Sequence, residues 1–130
     1  MVIDEKLLDE VSGKAKVNER LRMNFNFHDS PDAKAQRLLN ALEIGTILPI
    51  HRHRHTSETY ILLRGKIRVM FYDETGAETE SFLLNPSEGG YGIHIPTGQW
   101  HTLEVLENNS VIFEVKDGPY TPLGSDDIIY

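Results

Sequence analysis

The chain has 130 residues, 39% hydrophobic and 25% charged, with a formal net charge of −7 and no cysteine. That length suits one domain with a real core, and an acidic balance without a basic patch argues against nucleic acid as a partner. Disulfides, thiolate metal ligands and thiol catalysis are excluded, and no run approaches the roughly 20 apolar residues of a membrane span.

The start, MVIDEKLLDEV, carries two acids within its first five residues and does not read as a secretory signal, so a cytoplasmic protein is expected. From Asp4 to about Lys16 the spacing predicts a helix, with Ile3, Leu7, Leu8 and Val11 on one face and Gly13 or Asn18 to end it. Residues 20-RLRMNFNFH-28 then alternate strictly. Leu21, Met23, Phe25 and Phe27 fall on one side, and Arg20, Arg22, Asn24, Asn26 and His28 on the other, the period of a strand with one face in the core. Two readings of the polar side stand open. It faces solvent, or it lines a polar cavity, since short amides and a histidine are unusual choices for a wholly solvated face.

Residues 30-SPDAKAQRLLNAL-42 open with Ser30 and Pro31, a good helix start, and continue in helix-favouring residues. The β pattern around them predicts a short turn of helix followed by a strand from about Gln36. From Gly45 onward short runs rich in Ile, Leu, Val, Phe and Tyr are punctuated by Gly, Pro, Asn and Asp. This pattern predicts an all-β barrel or sandwich, with 73-DETG-76 as a hairpin tip.

The stretch 51-HRHRHTSE-58 holds three of the six histidines within five residues. On a strand, residues i and i+2 project to one face about 6.5–7 Å apart, so His51 and His53 can chelate one ion. A regular strand would add His55. A kink after His53 would instead bring in Glu58. Spacing alone leaves both open. Imidazole nitrogen with carboxylate oxygen suits Mn, Fe, Co, Ni or Zn rather than Ca or Mg. A downstream partner is His101 in 96-PTGQWH-101, where a proline–glycine turn fixes the angle at which the imidazole enters and a hydrogen bond from the ring's other nitrogen sets its tautomer.

These pieces carry a family resemblance. Gly45, five residues, His51, one residue, His53, four residues, Glu58, six residues and Gly65 resemble the first motif of the cupin superfamily. Gly90, five residues, Pro96, one residue, Gly98, two residues and His101 resemble the second, with Val105 where cupins often carry asparagine. More finely, 20-RLRMNFNFH-28, 36-QRLLNAL-42, 49-PIHRHRH-55, 96-PTGQWHT-102 and 114-EVKDGPY-120 resemble the WbuC-type cupin metalloproteins, whose genes tend to sit in bacterial surface-polysaccharide clusters. The C-terminal end, stopping at IIY, is less like them.

The resemblance implies a single-domain cupin, a double-stranded β-helix or jelly-roll barrel, with a helical segment over 1–19, the barrel over 20–122 and a tail over 123–130. It implies one divalent transition metal (Fe, Mn, Ni, Zn or Co) on His51, His53, Glu58 and His101, with His55 a neighbour. Arg52 and Arg54 should point away from the metal and pair with surface acids. Trp100 should face away from His101, into the core or a subunit contact. Asn24, Asn26, Tyr60 and Tyr120 are candidate ligand-binding residues, and His28, Tyr60, His94 and Lys116 candidate proton carriers. Tyr60 could equally be a barrel-filling aromatic, and His94 a core histidine. Lys116 and Tyr120 rest on the resemblance alone.

The function it implies is a metal acting as Lewis acid on a sugar or sugar-nucleotide intermediate of surface-polysaccharide metabolism, in the manner of an isomerase or epimerase. An iron-dependent dioxygenase and a non-enzymatic small-ligand-binding cupin are the alternatives. A homodimer is expected, because exposed sheet edges need covering.

Overall fold

The computed structural model describes residues 1–129. Asp4 caps α1 (Glu5–Lys16) by accepting the Leu7 amide at 3.0 Å, satisfying one of the amides a helix start leaves unpaired. Leu7, Leu8, Val11 and Ala15 form its buried stripe, whereas Ile3, before the cap, is exposed. The helix ends at Val17 rather than Gly13, and Asn18 takes the chain out by accepting the Arg20 and Leu21 amides through its side chain and carbonyl. It is the only α-helix among the described residues, and no helix is long and apolar enough to cross a membrane.

Ten strands follow: β1 (Arg22–Asn26), β2 (Ala35–Leu42), β3 (Ile50–His51), β4 (Glu58–Arg64), β5 (Ile67–Tyr72), β6 (Glu78–Leu84), β7 (Gly92–Ile95), β8 (Trp100–Val105), β9 (Ser110–Asp117) and β10 (Ile128–Ile129). They form two five-stranded antiparallel sheets, ordered β1-β2-β9-β4-β7 and β10-β3-β8-β5-β6. The DETG hairpin joins β5 to β6, its Asp73 carboxylate accepting the Thr75 and Ala77 amides.

Side chains alternate across each strand, and the two faces of the first sheet have different jobs. Its outer face packs α1 against Leu39, Ala41 and Val111, flanked by Met23, Phe25, Phe27 and Phe113. The apolar side of β1 is therefore spent on the helix, and its polar side is turned inward. The space between the sheets is filled at one end by Leu42, Leu62, Ile67, Val69, Phe71, Ile95, Leu103 and Ile112. Gly65 sits where β4 turns into β5 with φ of 95°, and a Cβ there would lie 2.6 Å from the Ser110 Cα, so only glycine fits.

Two stretches differ from the sequence expectation. Residues 30–34 contain no helical turn. Ser30 and Ala33 close a simple turn through Ala33 N–H to Ser30 O at 3.1 Å, and the Gln36 side chain donates back to Ala33 O at 2.9 Å. Pairing of all eight residues of β2 with Asp117–Ser110 outweighs their helical propensity. The end of the chain is likewise no free tail. Ile128 and Ile129 pair with His51 and Ile50, covering the edge of β3, while Tyr130 lies outside the described residues.

Candidate metal centre and adjoining cavity

Three strands from two sheets deliver four side chains to one point. His51 ends β3, His53 follows it, Glu58 opens β4, and His101 is the second residue of β8. His51 and His101 are directly opposed in register, with ring centroids 4.3 Å apart. One potential ligand atom from each of His51, His53, Glu58 and His101 lies within 4.8 Å of all the others.

The backbone decides between His55 and Glu58. The chain leaves β3 after His51, the Gly98 amide donates to the His53 carbonyl at 2.8 Å, and Arg54 and His55 are carried out to the surface. β4 then begins with Glu58 turned inward, its side chain 3% exposed. Arg52 and Arg54 point away from the cluster. Both reach the Asp127 carboxylate, at 3.2 and 2.6 Å, and the Arg52 guanidinium also lies 4.5 Å over the ring of the buried Trp100.

The donor atoms suit a cation. The His51 Nδ1–H donates to Pro49 O and the His101 Nδ1–H to Gln99 O, both at 2.9 Å. A carbonyl only accepts, so each ring keeps its Nε2 lone pair for the cluster. Glu58 Oε1 lies 3.0 Å from His53 Nε2 and 3.2 Å from His101 Nε2. Yet buried Glu58 Oε1 and His101 Nε2 have no aligned hydrogen-bond partner. Close approach without alignment is the arrangement of donors converging on a shared ion.

The electrostatics agree. Burial alone would push the Glu58 carboxyl up, but positive charge at the adjoining His101 and His53 side chains outweighs it and holds the carboxyl well below the usual range. Burial, reinforced by His101, pushes the His51 imidazole down to about 4, so it is neutral at pH 7 as a ligand must be. Three imidazoles and one carboxylate would leave a divalent ion with a net charge of about +1, a nitrogen–oxygen set suited to Mn, Fe, Co, Ni or Zn.

A cavity of about 380 Å³ lies on the inner face of the first sheet, with Asn24, Asn26, His28, Asn40, Glu114 and Lys116 on its walls. A second cleft, of about 260 Å³, runs past His53 and His55, and Lys116 and Tyr120 line both. The polar side of β1 thus borders an open cavity, and Asn24 and Asn26 are also exposed to solvent. Tyr120 is held there by its amide's bond to Pro31 O at 2.7 Å. His28 is tied to β2, its Nδ1 being 3.1 Å from the Arg37 carbonyl and 3.2 Å from the Arg37 amide.

The remaining candidates lie elsewhere. Tyr60 is buried beneath the cluster, its ring 6.4 Å from that of His101, and lines neither cavity. Burial pushes its hydroxyl well up, with Glu58 adding to the rise. His94 is neither in the core nor at the cavity. It pairs in register with Thr59, on the face opposite Glu58 and Tyr60, and its Nδ1 is 3.0 Å from the Thr59 hydroxyl on the outer surface. Conversely, Asn40 and Glu114 stand at the cavity unannounced by the sequence reading. Their signal is a polar residue beside the apolar inward neighbours Leu38, Leu42 and Ile112, legible only once the strand register is known.

The family model described as "Domain of unknown function (DUF6016)" matches residues 3–84. The chain belongs to the DUF6016 family. No functionally curated protein matches this DUF6016 chain in sequence. Among solved structures it is similar to the capsular polysaccharide assembling protein CapF from Staphylococcus aureus, with a TM-score of 0.67 and 21% identity over 82% of this chain and 28% of CapF. It is also similar to the Schizosaccharomyces pombe Cnp3 cupin domain, with a TM-score of 0.60 and 13% identity over 78% of this chain and 68% of that one. A third likeness is Bacillus subtilis oxalate decarboxylase, described with Mn(II) centres, with a TM-score of 0.58 and 20% identity over 78% of this chain and 26% of that one. The DUF6016 chain therefore spans under a third of the length of CapF, and these likenesses show its fold. That fold is a single-domain cupin-type β-barrel with a short N-terminal helix.

Proposed function

We propose that this DUF6016 chain is a metal-dependent cupin of the WbuC type that acts on a sugar or sugar-nucleotide intermediate of bacterial surface-polysaccharide metabolism. The observation that carries the reading is the convergence of His51, His53, Glu58 and His101 close to a cavity lined by neutral amides, a carboxyl and an ammonium group. A divalent ion on those four residues would supply a Lewis acid able to polarise a carbonyl or hold adjacent ligand oxygens. The chain's own residues do the rest. Asn24 and Asn26 offer both donors and acceptors to hydroxyls, and Tyr120 offers a ring for the apolar face of a sugar. His28 and Lys116 are the proton carriers that border the cavity, since Tyr60 is buried away from it and His94 faces outward. The description of CapF as a capsular polysaccharide assembling protein supports the substrate class, and the Mn(II) centres of oxalate decarboxylase support the metal.

The test is solvent exchange. Protein loaded in turn with Mn, Fe, Ni, Zn and Co is incubated in D₂O with a panel of aldoses, ketoses and nucleotide sugars, and proton NMR follows loss of the hydrogen next to the carbonyl carbon. Metal-dependent exchange that disappears in His101→Ala is the expected result. A fully loaded protein that exchanges no member of the panel contradicts the isomerase-like reading.

A further inference from the structure

The cavity's inner wall holds an arrangement that the metal cluster does not need. The Asn40 Nδ2 donates to Glu114 Oε1 at 3.1 Å across 74 residues of sequence, and both side chains are only 8% exposed. In register, Asn24 on β1 stands directly opposite Asn40 on β2, and Asn40 is the diagonal neighbour of Glu114 through the β2–β9 pairing. Of their inward-facing neighbours, Leu38, Leu42 and Ile112 are apolar, so aliphatic residues fit these rows, while Gln36 and Lys116 continue the polar wall. The pair is also incompletely satisfied: buried Asn40 Oδ1 has no hydrogen-bond partner. Polar atoms cut off from water are almost always matched. A pair serving only the fold would be closed on itself rather than set in the wall of an open cavity.

We propose that Asn24, Asn40 and Glu114 form a hydroxyl-recognising subsite for a polyhydroxylated ligand. The Glu114 carboxyl, held in place by the Asn40 amide, takes a ligand O–H group, and the Asn24 amide spans donor and acceptor roles. A ring with adjacent hydroxyls matches this alternation. The subsite rests on the sugar reading given above and deepens it, because it names the residues that would tell a hydroxyl from its deoxy counterpart. Sites built to hydrogen-bond a hydroxyl reject the analogue lacking it strongly, since their own groups are left unpaired.

The experiment uses the metal-loaded full chain and saturation-transfer NMR with methyl α-D-glucoside, methyl α-D-mannoside, methyl β-D-galactoside and their monodeoxy analogues. The parent is expected to bind at least one glycoside and to lose about tenfold in affinity for one monodeoxy form. Asn40→Ala is expected to lose a similar factor and to bind the parent and deoxy glycosides alike. Glu114→Gln keeps the side chain's shape and stands in where the alanine variant fails to fold; it should also erase the discrimination. Equal binding and undiminished discrimination in the folded variants would overturn the subsite while leaving the sugar reading standing. A parent that binds none of the glycosides would take down both.

Discussion

The Gly98 amide donates to the His53 carbonyl at 2.8 Å, and that bond fastens the loop carrying one histidine of the cluster to the turn that delivers another. Gly98 can make it because it adopts a φ of 79°, a region costly for residues with a Cβ. The two histidine motifs are thus joined through the backbone before any ion arrives.

A matched pair of substitutions separates this link from simple backbone strain. Gly98 and Gly89 both have positive φ, and neither has anything within 4 Å of an added Cβ. Each alanine variant should lose about 1 kcal/mol of stability. Only Gly98→Ala should also weaken divalent-metal binding, by several-fold in calorimetric titration. Equal metal affinity in the two variants would mean that the bond does not organise the cluster.

The stability of the metal-stripped protein should carry the signature of Glu114. Burial first, and then the Glu58 charge, raises its carboxyl from 4.5 to about 7. A carboxyl raised on folding binds its proton more tightly in the native state. Its contribution is therefore fully present below pH 4.5 and is lost as pH rises to about 7, an effect on the order of 3 kcal/mol. Urea unfolding at intervals from pH 4.5 to 8 should show Glu114→Gln gaining on the parent as pH rises through this window. Parallel curves would contradict the buried-carboxyl assignment.

Asp127 should matter to the cluster although it touches none of the four residues. Its carboxylate receives Arg52 and Arg54, and its carbonyl accepts the Arg52 amide at 3.0 Å, next to the pairing of Ile128 with His51. Asp127→Ala should therefore speed amide hydrogen exchange at Ile50 to Arg52 and leave exchange in β9 unchanged. Unaltered protection of β3 would show that the C-terminal strand holds without this clamp.

Much of the architecture was legible because period-2 alternation reports a strand's two faces directly. The inward turn of Asn24 and Asn26 was not, since alternation says that two faces exist without saying which one a helix will cover; α1, packed on Phe25 and Phe27, decides it. The spacing of His51, His53 and His101 was readable along the chain. The choice of Glu58 over His55 depended on where β3 ends, which is fixed by a bond to Gly98 more than forty residues away. His94 was misplaced for a related reason. Its direction follows from its pairing with Thr59, and no local pattern reveals that register. Residues 30–34 looked helical because propensity is local while the pull of β9 on the following strand is not.

Elemental mass spectrometry will show whether His51, His53, Glu58 and His101 together hold one divalent metal. Untagged protein never exposed to a chelating column is measured beside His51→Ala, His101→Ala, His55→Ala and His94→Ala. Near-stoichiometric transition metal is expected in the parent and in the His55 and His94 variants, with its loss from the His51 and His101 variants. Folded parent protein that carries no such metal and takes none up from Mn, Fe, Co, Ni or Zn solutions would contradict that metal site.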